Sequence, residues 1–219
     1  MKLNLRAAGW GKWLILGSAC ALLFILLSQV LVSPVVKAID QAIIQVFHEM
    51  ENPTLTWWMK YITMIGSGYI IYYVALMIAV VLLILVKVRW ELLLFGIVLI
   101  GSTLGNSLLK RLFSRERPDF NRLIEASGHS FPSGHSMTVC TFYSIMLYLL
   151  IRHIHSRAGR WALIGFSCLM IILTGISRVY LGVHYPSDIA GGYLASLTWV
   201  LICIAVYEAI FSRNRQNLA

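Results

Sequence analysis

Of the 219 residues, 59% are hydrophobic and only 12% charged, a balance too apolar for an ordinary soluble domain and with room for about six spans of roughly 20 residues. The net charge of +9 comes from short basic clusters between apolar runs, not from one basic face or tail, which argues against nucleic-acid binding. Cys20, Cys140, Cys168 and Cys203 fall within apolar segments without the paired spacing of a zinc site or a disulfide framework, so they read as packed free thiols.

The first apolar run, Trp13 to Val32, is longer than a signal-peptide core and lacks a small-residue cleavage site, so it reads as a retained span preceded by a basic tail over residues 1–12. After Ser33-Pro34, apolar residues recur at Val35, Ile39, Ala42, Ile43, Val46, Phe47 and Met50 against Lys37, Asp40, Gln41, Gln45, His48 and Glu49. That 3.6-residue period predicts an amphipathic helix, expected in the membrane interface and stopped by Asn52-Pro53. Trp57, Trp58 and Tyr61 stand where an aromatic belt is expected, and Gly66-Ser67-Gly68 precedes a second span over Tyr69 to Val86. A charged turn, Lys87 to Glu91, leads into a third span from Leu92 to Leu109, whose Gly96, Gly101 and Gly105 permit close helix contact. The longest polar stretch, Lys110 to Gly134, is followed by a fourth span (Ser136 to Ile151), a basic loop (Arg152 to Arg160), a fifth span (Trp161 to Ile176) and a sixth (Ile189 to Phe211). The expected fold is all-α: a single membrane-embedded domain over residues 1–219 with six transmembrane helices and an interfacial amphipathic helix.

With both termini in the cytoplasm, that side holds Lys2, Arg6, Lys12, Lys87, Arg89, Arg152, Arg157, Arg160, Arg213 and Arg215, ten of the 18 basic residues, against the acids Glu91 and Glu208. The positive-inside bias therefore predicts cytoplasmic termini in a multi-pass cell-membrane protein. Alternating spans then bring four helix ends to the extracytoplasmic face, and the unusual polar residues lie at those ends. They are Lys110 with Arg117-Pro118, Pro132-Ser133-Gly134-His135, Ser177-Arg178, and His184 with Asp188. His184 and Asp188 are four apart, so a helix starting here would let the carboxylate hold one imidazole nitrogen while the other faces a substrate; Pro186 fits only the first turn of such a helix. Three cations, a Ser-Gly helix start and two histidines describe a site for a tetrahedral, highly charged anion, hence a phosphate ester.

These residues form three motifs in order: Lys110, six residues, Arg117-Pro118; Pro132-Ser133-Gly134-His135; and Ser177-Arg178, five residues, His184, three residues, Asp188. In them the chain resembles the type-2 phosphatidic acid phosphatases, integral-membrane lipid phosphatases that include bacterial phosphatidylglycerophosphate and undecaprenyl diphosphate phosphatases. Their catalytic core is similar to that of vanadium haloperoxidases. The resemblance implies that His184 attacks phosphorus to give a phosphohistidine, with Asp188 fixing its tautomer. It implies that His135 protonates the leaving oxygen and then activates water, while Lys110, Arg117, Ser133, Gly134 and Arg178 hold the phosphoryl oxygens. No metal or other cofactor is implied: the fixed cations take the place of Mg²⁺, and Asp188 is the only acid at a defining position of the motifs. The partners implied are a membrane lipid phosphate and the bilayer.

Other classes fit less well. A transporter buries its ionisable groups near the midplane, whereas these lie at span ends. An intramembrane serine hydrolase built on Ser133 and His135 would leave the three cations unexplained. Phosphotransfer to an alcohol would use the same residues as hydrolysis, and phosphatidylglycerophosphate, phosphatidic acid and polyprenyl diphosphate all present a terminal phosphate at the interface. His48, His153 and His155 read as solvated, and Arg122, Glu125 and His129 stay outside the expected site.

Overall fold

The computed structural model describes residues 9–81, 83–84, 89–119 and 121–216; Lys2, Arg6 and Lys87, counted above for orientation, and the end of the second apolar run lie outside the described residues. The described residues form eight helices: α1 (Gly9–Val30), α2 (Pro34–Glu49), α3 (Pro53–Ile65), α4 (Gly68–Val81), α5 (Arg89–Phe113), α6 (Gly134–Leu150), α7 (Arg157–Tyr180) and α8 (Pro186–Gln216). Local chemistry sets several of their starts. Ser33, Asn52 and Ser156 cap α2, α3 and α7 by accepting from the backbone N–H groups of Val36, Leu55 and Gly159, and Pro34 and Pro53 occupy first-turn positions where no N–H is needed.

Among the described residues, four helices are long and apolar enough to cross a membrane (Gly9–Val30, Trp90–Phe113, Arg157–Tyr180 and Pro186–Ile210), and the α3–α4 pair, bent by 44°, passes as a fifth. The fourth apolar run of the sequence differs from the others: α6 has 17 residues, about 25 Å at 1.5 Å per residue against a hydrocarbon core of roughly 30 Å. It is also the most enclosed helix, held between α5, α7 and α8. Apolar content alone does not separate a lipid-facing span from a helix buried among others, because both bury a continuous apolar surface. Around this centre the outer faces are greasy: Leu22, Leu23 and Leu26 on α1, Leu76 and Met77 on α4, and Leu104 and Leu112 on α5 are all exposed, as suits a hydrocarbon solvent.

The main core joins α4, α5, α6 and α8 through Ile71, Phe95, Val98, Val139, Ile145 and Val200. Inside it the Ser102 and Thr141 hydroxyls pair at 2.8 Å, and the Trp199 indole N–H donates to the Val98 carbonyl at 3.0 Å, so these buried polar atoms are met. α1 lies along α8, and α2 and α3 pack on α7. Where α6 starts against α8, two glycines remove the side chains that would hold the helices apart. A Cβ on Gly191 would stand 2.3 Å from the Phe131 ring, and one on Gly192 would stand 3.0 Å from the Ser133 carbonyl oxygen. Gly191→Ala is therefore expected to force Phe131 aside and lower stability by about 1–3 kcal/mol, the range for overpacking a filled core, read as a lower melting temperature in detergent.

Candidate active site

The site is built on the turn between α7 and α8. α7 ends in a Schellman motif, in which the Gly182 N–H bonds the Val179 carbonyl at 3.0 Å and the Val183 N–H reaches back to the Arg178 carbonyl at 3.2 Å. Gly182 carries φ 71°, the left-handed backbone this turn requires and a β-carbon disfavours. Tyr180, Leu181 and Val183 are buried against Phe47, Leu55 and Leu123, which anchors the turn to α2, α3 and the segment before α6. Arg178 thus sits at the end of one helix and His184 at the lip of the next, separated by a fixed reversal.

α8 begins at Pro186, so His184 lies outside the helix instead of sharing a face with Asp188. The two still meet: Asp188, in the first turn, reaches backwards to accept from the Tyr185 N–H at 2.9 Å, and its Oδ2 lies 3.3 Å from His184 Nδ1. The Ser130 hydroxyl donates to the same oxygen, and Arg115 Nη1 donates to Oδ1 at 2.7 Å. Asp188 is wholly buried and His184 is 1% exposed. With the Nδ1 proton directed at Asp188, Nε2 keeps its lone pair and lies 3.1 Å from Arg117 Nη1. Burial pushes His184 down to about 4 while the hydrogen bond and charge of Asp188 work the other way, so the imidazole is neutral at pH 7.

The cations are held differently. Arg117 spends Nε on the Gly128 carbonyl (3.0 Å), Nη2 on that of Ser127 (2.9 Å) and Nη1 on that of Val183 (2.8 Å). Of the five N–H groups of a guanidinium, that leaves one on Nη2 and the one facing His184 for an anion. Arg178 is 5% exposed and donates from Nη1 to the Thr63 hydroxyl at 2.8 Å, while its Nε has no hydrogen-bond partner among the described residues. A buried, unpartnered guanidinium N–H is costly unless a ligand meets it. Lys110 Nζ comes within 3.9 Å of where a Gly134 Cβ would stand. His135 follows Gly134, lies within electrostatic reach of Arg178, His184, Lys110 and Arg117, and makes no hydrogen bond to another described residue. Ser133 is fully buried as the cap of α6, where its Oγ accepts from the Ser136 N–H at 3.4 Å and the Ser136 hydroxyl at 3.1 Å. Its own hydroxyl proton remains to be given.

Four residues of the surrounding network were not singled out in the sequence. Ser130 and Arg115 bond Asp188 directly, Thr63 of α3 holds Arg178, and Asp40 of α2 accepts from Arg115 Nη2 at 3.0 Å. Asp40 reads as one polar residue of an amphipathic face, yet it is 1% exposed and is the buried residue of its helix. A polar residue on a helical period looks the same whether water or a buried guanidinium meets it.

The family model described as the PAP2 superfamily matches residues 91–212. The chain belongs to the PAP2 superfamily. It is a membrane-embedded lipid phosphatase of that family, a hydrolase acting on phosphate esters. It is 33% identical over 197 residues to phosphatidylglycerophosphatase B of Bacillus subtilis (strain 168), covering 90% of this chain and 96% of that protein. It is also 31% identical over 115 residues to the putative undecaprenyl-diphosphatase YbjG of Escherichia coli (strain K12), covering 49% of this chain and 52% of that one. The crystal structure of a transmembrane PAP2-type phosphatidylglycerolphosphate phosphatase from Bacillus subtilis superposes with a TM-score of 0.80 at 30% identity, over 91% of this chain and 96% of that one.

Two outcomes follow for this PAP2 phosphatase. Gly182→Ala, placing a Cβ on a left-handed residue, is expected to cost about 1–2 kcal/mol of stability and to slow turnover by displacing His184. Because the folded His184 titrates near 4 and an ordinary histidine near 6.5, the unfolded chain binds its proton more readily between those values. The stability contributed by neutral His184 is complete above about 6.5 and declines as pH falls towards 4. Melting temperatures at pH 7 and pH 5 should therefore differ more for the wild type than for His184→Asn.

Proposed function

We propose that this protein removes the terminal phosphate of a membrane lipid phosphate without a metal ion, through a phosphohistidine on His184. The observation that carries the reading is a neutral, buried imidazole whose Nδ1 faces Asp188 and whose Nε2 lone pair lies beside the Arg117 guanidinium. In the first step Nε2 bonds to phosphorus as the bond from phosphorus to the lipid oxygen breaks, and Asp188 stabilises the positive charge appearing on the ring. His135 delivers to the leaving oxygen a proton that a phosphate monoanion can bring with it. In the second step His135 takes a proton from water, the hydroxide oxygen bonds to phosphorus, and the bond between nitrogen and phosphorus breaks to release phosphate. Lys110, Arg117, Arg178, the Ser133 hydroxyl and the Gly134 N–H hold the oxygens on which charge collects. Asp188 is engaged by protein donors on both oxygens, Oδ1 by Arg115 and Oδ2 by Ser130, the Tyr185 N–H and His184, as suits a carboxylate that orients an imidazole.

Likeness to phosphatidylglycerophosphatase B over nearly the whole of both chains supports phosphatidylglycerophosphate as the substrate. The match to a putative undecaprenyl-diphosphatase supports a prenyl diphosphate as a second one. We further propose one domain over residues 1–219, six crossings that include the short α6, and cytoplasmic ends, so that the site opens among headgroups on the extracytoplasmic side. α2, whose Val35, Ile39 and Val46 are exposed, would lie in that interface.

The purified protein in mixed micelles with EDTA, given phosphatidylglycerophosphate, phosphatidic acid and undecaprenyl diphosphate, should release phosphate fastest from the first. Loss of all activity in chelator, restored by Mg²⁺, contradicts the cation-only site. His184→Ala should be inactive, and Asp188→Asn slower by orders of magnitude. For sidedness, single cysteines at Ser127 and at Ser156 in a background without the four native ones should react with an impermeant thiol reagent on intact cells at Ser127 only. Labelling at Ser156 only would invert the topology.

A further inference from the structure

α2 precedes the residues matched by the family model, and it exposes Val35, Ile39 and Val46 beside Lys37, Gln41 and Gln45, yet the residue it buries is an acid. Helices on a surface ordinarily bury leucine or isoleucine, because an unpaired carboxylate taken out of water costs far more than the packing returns. Asp40 is paired on both oxygens. Oδ1 accepts from the Ser187 N–H at 2.9 Å, and Oδ2 accepts from the Ser187 hydroxyl at 2.6 Å and from Arg115 Nη2 at 3.0 Å. The other terminal nitrogen of Arg115 donates to the Ser187 hydroxyl and to Asp188 Oδ1, both at 2.7 Å, and its guanidinium carbon lies 4.1 Å from the centre of the Tyr185 ring.

We propose that Asp40 is a positioning residue for the nucleophile, acting through Arg115 and the start of α8 to orient Asp188 and to keep the charge beneath His184 negative. Two physical effects combine. The first is geometric: Asp188 Oδ2 serves Ser130, Tyr185 and His184, and Arg115 is the protein donor on Oδ1, so the rotation of the carboxylate depends on where Arg115 is held. Asp40 and the Tyr185 ring hold it, and Asp40 also meets a first-turn N–H of α8, where an anion is favoured.

The second effect is electrostatic. Asp188 beside Arg115 is a neutral pair, which does little for a cation forming on His184. With Asp40 as third member the group carries one net negative charge, placed within a buried region where it is poorly screened. Positive charge grows on the ring only as nitrogen bonds to phosphorus, so the effect of Asp40 belongs to kcat and not to substrate binding.

This inference rests on His184 as nucleophile, and the test separates the two. Full-length wild type, Asp40→Asn, Asp40→Glu, Arg115→Lys and His184→Ala are assayed on phosphatidylglycerophosphate in mixed micelles, with melting temperatures measured alongside. Asp40→Asn is expected to lower kcat at least tenfold with KM within twofold of wild type, and Asp40→Glu to recover part of that loss. Should Asp40→Asn fail to fold, Arg115→Lys reads the same link from its other end, keeping the charge and losing the fork, with the same kcat-specific loss expected. A kcat within twofold of wild type in the folded variant, while His184→Ala is inactive, overturns the positioning role alone. A fully active His184→Ala overturns it together with the nucleophile assignment.

Discussion

A carboxylate with no exposed surface is costly unless donors meet its oxygens, and meeting those of Asp188 determines where the surrounding elements can be. Its partners come from separate parts of the chain: Ser130 from the segment before α6, Arg115 from just beyond α5, and Tyr185 and His184 from the turn before α8. Bringing them within bonding distance fixes the ends of α5, α6, α7 and α8 together. The apolar core does the bulk of the stabilising, but it is non-directional, and it would accept small slides of one helix along another. The polar cluster at the helix ends would not.

Close packing at the start of α8 lets those partners reach. Gly191 and Gly192 leave room for the Phe131 ring and the Ser133 carbonyl, and the Ser133 N–H bonds the Asp188 carbonyl at 3.1 Å, so the second and third motifs are joined through backbone as well as side chain. On the far side Thr63 holds Arg178 and Asp40 holds Arg115, so α2 and α3 brace two of the guanidinium groups near the site from behind. In the proposed mechanism that bracing matters because electrostatic stabilisation works best from groups that need not reorganise as charge develops.

The three motifs were legible in the sequence because their chemistry is concentrated and their spacing is short, and His184 and Asp188 do meet. The helix between the fourth pair of loops was less so: the length of α6 and its enclosure follow from its neighbours, which no window of hydropathy contains. Gly182 carries a left-handed turn that a single glycine between Leu181 and Val183 does not announce. Asp40 and Arg115 were hidden for a different reason. Asp40 falls on the polar side of an amphipathic period and Arg115 in the interval between Lys110 and Arg117, while their partnership spans 75 positions and depends on α2 folding back over the start of α8, information that lies in tertiary packing.

The central claim is that His184 Nε2 bonds to phosphorus. Substrate carrying ³²P in its terminal phosphate, mixed with purified protein and quenched in alkali within milliseconds, should leave label on the protein that is stable to base and lost in acid, the behaviour of a phosphoramidate. Peptide mapping should place it on His184. Turnover at the normal rate with no protein-bound label at any quench time, or label mapped to His135, would contradict the account.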